Sequence, residues 1–167
     1  GNTSTLYPRA FFEELNFDAL TVTPYMGEDS VKPFLRDNKW VILLAHTSNS
    51  GSADFQAMEL STRRKLYEEV ISKSQQWGTP DQLMYVVGAT QPEKIRSIRS
   101  LAREYFFLVP GIGAQGGDLE MVMKQGMNSQ CGLLINSARA IIYASDGKDF
   151  AIRAGNEARR LQKEMGA

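Results

Sequence analysis

A glycine-rich segment is the part of this sequence best suited to hold an anion. Residues 106–118 read FFLVPGIGAQGGD, an apolar run followed by four glycines. Glycine lets backbone N–H groups converge on a ligand because no Cβ stands in the way. The pattern predicts a buried strand that ends in a phosphate-binding loop, in which Gln115 supplies the one long polar side chain.

Arg139 is a second candidate for phosphate binding. It follows another apolar run and lies two residues beyond Ser137. A forked guanidinium can bind a phosphate dianion through two parallel hydrogen bonds. An isolated arginine at such a place is as often part of a surface ion pair, but the glycine-rich segment is an independent sign of the same ligand and favours phosphate binding.

Other polar residues follow the apolar run at 40–45. The hydroxyl of Ser48 and the amide of Asn49 suit hydrogen bonds to a planar polar ligand such as a pyrimidine, although turn chemistry explains them equally well. His46, the only histidine, is interpreted as structural, and Asp118 is interpreted as a helix cap or a weak acid–base candidate. No cluster in the sequence has the spacing of a metal site, so no metal is expected.

The glycines at 111, 113 and 116 also match the dinucleotide fingerprint GxGxxG. That fingerprint belongs to the first strand–helix turn of a Rossmann fold. Here it follows the fourth predicted strand, and the segment after it is too short for the usual long helix. In a barrel, by contrast, the loops after the last two strands commonly form a phosphate site.

Strands and helices alternate along the whole chain. The predicted strands are residues 17–24, 40–45, 83–87, 106–109 and 132–136, and the predicted helices are residues 4 or 5 to 15, 29 or 30 to 35, 54–77, 92–105, 121–126 and 149–165. The residues expected to face the core are Phe55, Met58, Leu66, Val70 and Ile71 in the longest helix and Ile152, Ala158, Leu161 and Met165 in the last. Alternation predicts an α/β fold with a parallel sheet, either a doubly wound sheet or a (β/α) barrel. Both place functional groups at the carboxyl ends of the strands, where the candidate residues lie.

Composition narrows the class of protein. The chain has 167 residues, 43% of them hydrophobic, and its 19 basic and 19 acidic residues cancel. This suits one domain and disfavours nucleic acid as a partner. The single cysteine, Cys131, is expected to be a small buried residue, and a lone thiol favours the cytoplasm. No apolar run reaches the roughly 20 residues of a membrane span. With neither an initiator Met nor a signal peptide, the chain is expected to begin at a place other than a natural start.

Residues 110–118 resemble the phosphate-binding loop of orotidine 5'-phosphate decarboxylases. Four more segments resemble the longer bacterial branch of that family, in the same order along the chain: residues 1–5, 19–27, 47–56 and 136–139. The resemblance implies a homodimeric (β/α)8 TIM barrel that converts orotidine 5'-phosphate to UMP and CO2 without cofactor or metal. One departure is Ser50, where the family usually has proline.

The resemblance also implies roles for individual residues. Gln115 and Arg139 would hold the 5'-phosphate, and Ser48 would contact the pyrimidine ring. Thr3 would reach the ribose in the partner subunit's site. Backbone groups of the loop would complete the phosphate site. The loop residues that would contribute them are Pro110, Gly113 and Gly116.

The family's catalytic segment, Asp-x-Lys-x-x-Asp, would directly precede the position matched by Gly1 and does not occur in this sequence. A complete barrel takes about 250 residues. The 167 residues are therefore expected to be the C-terminal portion of a single barrel domain, about its last five β/α units, with no catalytic residue and no activity alone. Two alternatives stay open: a related barrel that decarboxylates or isomerises a sugar phosphate, and a non-catalytic nucleotide-binding α/β module.

Overall fold

One parallel sheet of five strands organises the protein. The computed structural model describes residues 2–113 and 116–166. The strands are β1 (Ala19–Val22), β2 (Trp40–His46), β3 (Leu83–Val87), β4 (Phe106–Pro110) and β5 (Leu133–Asn136). Their spatial order is β1-β2-β3-β4-β5, and every pair is parallel. Because each strand lies beside its neighbours in sequence, the sheet is an arc of a (β/α) barrel and not a doubly wound sheet, whose order would reverse.

Helices connect the strands. They are α1 (Asn2–Pro8), α2 (Glu28–Val31), α3 (Ser52–Phe55), α4 (Leu66–Ser74), α5 (Pro92–Leu101), α6 (Leu119–Gly126), α7 (Arg139–Ile142) and α8 (Phe150–Glu164). A 3-10 turn, Lys32–Phe34, follows α2. The short helix α7 was not predicted. Within the described residues, no helix combines the length and the apolar composition needed to cross a bilayer.

The core lies between the sheet and its helices. Val41 and Leu43 of β2 are fully buried, as are Phe107 and Val109 of β4. These residues alternate along their strands and so share the face that the helices cover. Helical residues that complete this core include Val31, Tyr67, Ile71, Ile95, Ile98, Val122 and Leu161. The opposite face is more open, since Leu44 is 36% exposed.

The first predicted helix forms, but in two parts. Residues Asn2–Pro8 are α-helical and Arg9–Glu14 form a π-helix, in which Leu15 N donates to Ala10 O at 3.0 Å. Pro8 has no N–H to donate to the preceding turn. The π-helical hydrogen bonds therefore begin directly after Pro8, the residue that interrupts the α-helical hydrogen bonds.

The long helix predicted over residues 54–77 is wrong. Helices α3 and α4 are separated by a tight excursion in which Leu60 N donates to Arg64 O at 2.8 Å and Glu59 pairs with Lys65 in an antiparallel bridge. Arg63 has a φ of +60°, which no helix accommodates. The expected core residues Phe55 and Met58 are accordingly exposed, at 61% and 51%.

Two further expectations about burial are wrong. In α8, Leu161 is buried, but Ile152 and Ala158 are exposed. Cys131 is exposed because it lies in a turn before β5, where Cys131 N donates to Asn128 O and the φ of the cysteine is +77°. Its thiol still reaches the strand that follows, since Cys131 Sγ donates to Leu133 O at 3.7 Å.

Candidate phosphate and base site

The carboxyl ends of neighbouring strands are joined along one edge of the sheet. Gly88 N, just past β3, donates to His46 O of β2 at 2.8 Å, and Ala89 N donates to Pro110 O of β4 at 3.0 Å. This edge, formed by the residues that follow β2 to β5, is called the rim below. It holds Ser48, the glycine-rich loop and Arg139 together, as parallel strands require.

Ser48 packs directly on Gly88. A Cβ added at Gly88 would lie 2.6 Å from Ser48 N and 2.8 Å from Ser48 Cβ, closer than real side chains approach. The exit of β3 therefore has to be glycine for Ser48 to occupy its place. Sequence reasoning missed this role of Gly88, because the sequence contains no sign that the neighbouring loop crosses over it.

The glycine-rich loop is a compact turn. Gly111, Gly113 and Gly116 have φ values of +102°, +77° and +82°, which residues with a Cβ rarely adopt. Gly117 N donates to Gly111 O at 3.0 Å and Gly116 N donates to Gly113 O at 2.8 Å, which closes the loop on itself. The predicted ligand Gln115 lies outside the described residues. Pro110, the last residue of β4, is half-buried at the start of the loop.

Asp118 ends the loop and begins α6. Its Oδ1 accepts a hydrogen bond from Met121 N at 3.1 Å, the arrangement of a helix N-cap. The capping interpretation of this carboxylate is thereby confirmed.

The exit of β5 packs against the glycine-rich loop. Ser137 Oγ donates to Ile112 O at 3.4 Å, and a Cβ added at Gly113 would lie 3.1 Å from Ala140 Cβ. Arg139, the first residue of α7, stands between these two contacts along the chain and is exposed. Among the described carboxylates none forms an ion pair with Arg139. The backbone of Arg139 therefore lies next to the glycine-rich loop, and phosphate binding by its side chain stays a prediction.

His46 lies beneath the rim and is 5% exposed. Its ring meets Tyr67 of α4 edge-on at 4.9 Å, and its Nδ1 has no hydrogen-bond partner among the described residues. Burial lowers the pKa of His46, and the nearby positive charges of Lys94 and Lys65 lower it further. A neutral imidazole packed on a tyrosine ring supports the structural interpretation of this residue.

Thr3 is exposed on α1, which packs near the 3-10 turn before β2. Its contact with the ribose in a partner subunit's site stays a prediction. The described residues do not contain a group of three or more His, Cys, Asp or Glu side chains that could hold a metal ion.

A polar cleft is present at the opposite edge of the sheet, before the strands begin. It is lined by Pro80, Asp81, Glu104, Asn128, Ser129 and Gln130. In barrels this edge serves stability, whereas ligands bind at the carboxyl ends. The rim is therefore the candidate site.

Comparison with protein families agrees with this geometry. The family model described as orotidine 5'-phosphate decarboxylase / HUMPS family matches residues 1–153. A Phocaeicola vulgatus protein named orotidine 5'-phosphate decarboxylase is 58% identical over 166 residues, which cover 99% of this chain and 61% of that protein. A protein of the same name from Bacteroides fragilis is 56% identical with the same coverage. The chain thus spans about three-fifths of the length of these curated relatives.

Solved structures give the same result for the fold. The Leishmania donovani OMP decarboxylase superposes with a TM-score of 0.84 at 34% identity, covering 100% of this chain and 65% of that chain. The UMP synthase of the same organism gives a TM-score of 0.84 at 36% identity, covering 96% of this chain and 36% of that chain. The expected TIM-barrel fold class is confirmed, and the chain belongs to the orotidine 5'-phosphate decarboxylase / HUMPS family.

Proposed function

We propose that these 167 residues form the C-terminal portion of a single TIM-barrel domain that converts orotidine 5'-phosphate to UMP and CO2, the last step of pyrimidine biosynthesis, without cofactor or metal. The observation that carries the proposal is the packing of the glycine-rich loop against the exit of β5, which sets Arg139 beside that loop. Membership of the family supports the proposed reaction, and the packing of the loop supports the proposed phosphate site.

The residues divide into two groups by the part of the substrate they hold. Arg139 and Gln115 bind the 5'-phosphate, together with backbone groups of the loop at Pro110, Gly113 and Gly116. Ser48 contacts the pyrimidine ring. We also propose that the protein is a homodimer in which Thr3 reaches the ribose in the site of the partner subunit. The proposed location is the cytoplasm.

Phosphate binding contributes to the rate although it is remote from the reacting carbon. Its binding energy can be used to favour the transition state over the ground state when it holds a closed site together. Loss of CO2 leaves an electron pair on the ring carbon, and that carbon then takes up a proton. We place the proton donor outside these 167 residues, because the sequence has no Asp-x-Lys-x-x-Asp segment.

The experiment compares two proteins. One is the 167-residue chain, and the other is a chimaera that joins it to the part of the P. vulgatus relative that it does not match. We call this chimaera the complemented enzyme. UMP formation from orotidine 5'-phosphate is measured by chromatography, with the intact P. vulgatus protein as the positive control.

We expect turnover by the complemented enzyme and none by the 167 residues alone. Turnover by the 167 residues alone would contradict the placement of the proton donor. A folded complemented enzyme without turnover would contradict the proposed function, and a panel of sugar phosphates would then test the related barrel chemistry. Light scattering of the complemented enzyme tests the homodimer.

A further inference from the structure

The side chain of Gln56 is tied to a single residue by two hydrogen bonds. Thr47 N donates to Gln56 Oε1 at 2.9 Å, and Gln56 Nε2 donates to Thr47 Oγ1 at 2.9 Å. A backbone N–H can only donate, so the amide oxygen must face it and the amide nitrogen must face the hydroxyl. The orientation of the Gln56 amide is therefore determined by chemistry.

Gln56 itself is held from both sides. The backbone N–H of Gln56 donates to Ser52 O of α3 at 3.0 Å, and the backbone carbonyl of Gln56 accepts from Tyr67 N of α4 at 3.1 Å. The side chain is half-buried, as is Thr47. Helices α3 and α4 thus present a fixed amide to the first residue after β2.

The orientation of this amide is passed on to Asn49. Because Thr47 Oγ1 accepts from Gln56, its own hydrogen is available to a second partner, and Asn49 Oδ1 lies 2.6 Å away. That distance is normal for O–H···O and short for N–H···O, so the oxygen of the Asn49 amide is the atom that faces Thr47. The nitrogen of the Asn49 amide, which lies over Gly51, donates to none of the described residues, so its two N–H donors are left for another acceptor. Asn49 is exposed on the rim, directly after Ser48.

We propose that the Gln56–Thr47–Asn49 relay presents the amide nitrogen of Asn49 as a hydrogen-bond donor to a carbonyl oxygen of the pyrimidine base. The inference rests on the proposed function and deepens it. Asn49 then contacts the base beside Ser48, and Gln56 is a positioning residue that acts through Thr47. The relay selects a base with a carbonyl at this edge, as in uracil, over one with an amino group, as in cytosine, because two donors facing each other cannot bond.

The test measures the binding of UMP and CMP to the complemented enzyme by calorimetry, and the quantity compared is the ratio of the two dissociation constants. In the variant Gln56→Glu, the introduced carboxylate accepts from both Thr47 N and Thr47 Oγ1. The threonine hydrogen is then no longer available to Asn49, and the Asn49 amide turns to donate to Thr47 and presents its oxygen instead. We expect the preference for UMP over CMP to fall about tenfold.

Two further variants keep the result interpretable. Asn49→Ala removes the donor on an exposed residue and should lower the same preference about fivefold without affecting folding. Gln75→Glu is the matched control, since Gln75 also donates through its amide, to Leu101 O at 3.1 Å, but lies far from the rim. That variant should leave the ratio unchanged.

An unchanged UMP preference in both Gln56→Glu and Asn49→Ala would overturn the inference and leave the proposed function standing. Failure of the unmodified complemented enzyme to bind either nucleotide would overturn the proposed function and the inference with it. A shift of the ratio in Gln56→Glu that the Gln75→Glu control lacks supports the relay, because a merely structural role for Gln56 would weaken both nucleotides alike.

Discussion

Ser48 rests on the bare Cα of Gly88, and a single added methyl group would come within 2.6 Å of Ser48 N. Backbone atoms cannot move aside as the end of a flexible side chain can. The loop that carries the proposed base contact is therefore placed by the absence of a side chain on the next strand.

Gly88→Ala should displace Ser48 and lower kcat/KM of the complemented enzyme about a hundredfold, the usual effect of misplacing a substrate contact by about 1 Å. The overpacked contact should also cost about 1–3 kcal/mol of stability. The matched control is Gly155→Ala in α8, where the nearest atom to an added Cβ is Arg159 Nη2 at 3.7 Å. Equal activity in the two variants would show that the close contact has no functional effect.

In the complemented enzyme, Arg139→Ala should lower kcat/KM for orotidine 5'-phosphate, a loss equivalent to about 2–4 kcal/mol of transition-state stabilisation, since a charged, forked donor to the phosphate is lost. Binding of uridine, which has no phosphate, should be unchanged, and calorimetry with UMP and uridine measures the difference. Arg153→Ala is the control, because Arg153 lies on α8 in an exposed ion pair with Asp149 at 2.9 Å. Equal losses for UMP and uridine in Arg139→Ala would contradict a phosphate role.

Arg99 should be the side chain on which stability depends most. Its guanidinium lies 3.7 Å from the ring centre of Phe107. It donates to the backbone oxygens of Gly126, Ala102, Arg103, Tyr105 and Gly132 at 2.6–3.2 Å. Burial lowers the pKa of Arg99 to about 10, so it stays charged at neutral pH.

Arg99→Met leaves these carbonyls without their donor and should lower the free energy of unfolding by at least about 3 kcal/mol. Arg99→Lys should recover little of it, because an ammonium can neither reach all the oxygens nor stack on Phe107. Urea unfolding measures the loss, and Arg96→Met, exposed on the same helix, is the control. A loss below 1 kcal/mol in Arg99→Met would show that water replaces these bonds without cost.

His46 should make stability depend on pH. Burial lowers its folded pKa below the ordinary value of 6.5, as do Lys94 and Lys65, while Glu93 opposes them. The unfolded chain takes up this proton near pH 6.5 and the folded chain does not, so the unfolded state binds more protons. His46 should make the free energy of unfolding fall as pH drops below 6.5, by up to about 1.4 kcal/mol per pH unit, and should contribute no pH dependence above it.

The measurement is urea unfolding between pH 8 and pH 5 of the complemented enzyme and of its His46→Phe variant, which keeps a ring beside Tyr67. The free energy of unfolding of the variant should rise relative to that of the unmodified protein as pH falls below 6.5. Parallel pH profiles would mean that His46 titrates alike in both states.

The strand predicted over 83–87 has the same bounds in the structure. The strand predicted over 40–45 is one residue longer in the structure and ends at His46. Both are runs of apolar residues, and such runs are typical of strands in a parallel sheet with helices on it. The helix predicted over 54–77 failed because the apolar residues Phe55 and Met58 continue a helical period that the chain does not follow. The turn at Arg63 depends on contacts that cannot be predicted from the spacing of apolar residues.

The sequence by itself determined the alternation of strands and helices, the glycine-rich loop and the family resemblance, because these depend on residue type and local order. Only the tertiary structure decided between barrel and doubly wound sheet, since both obey the same alternation and differ in which strands pair. It also decided the contact of Ser48 with Gly88 and the tie between Gln56 and Thr47. Residues from different strands and loops meet there, and the position of each depends on how the whole sheet is wound.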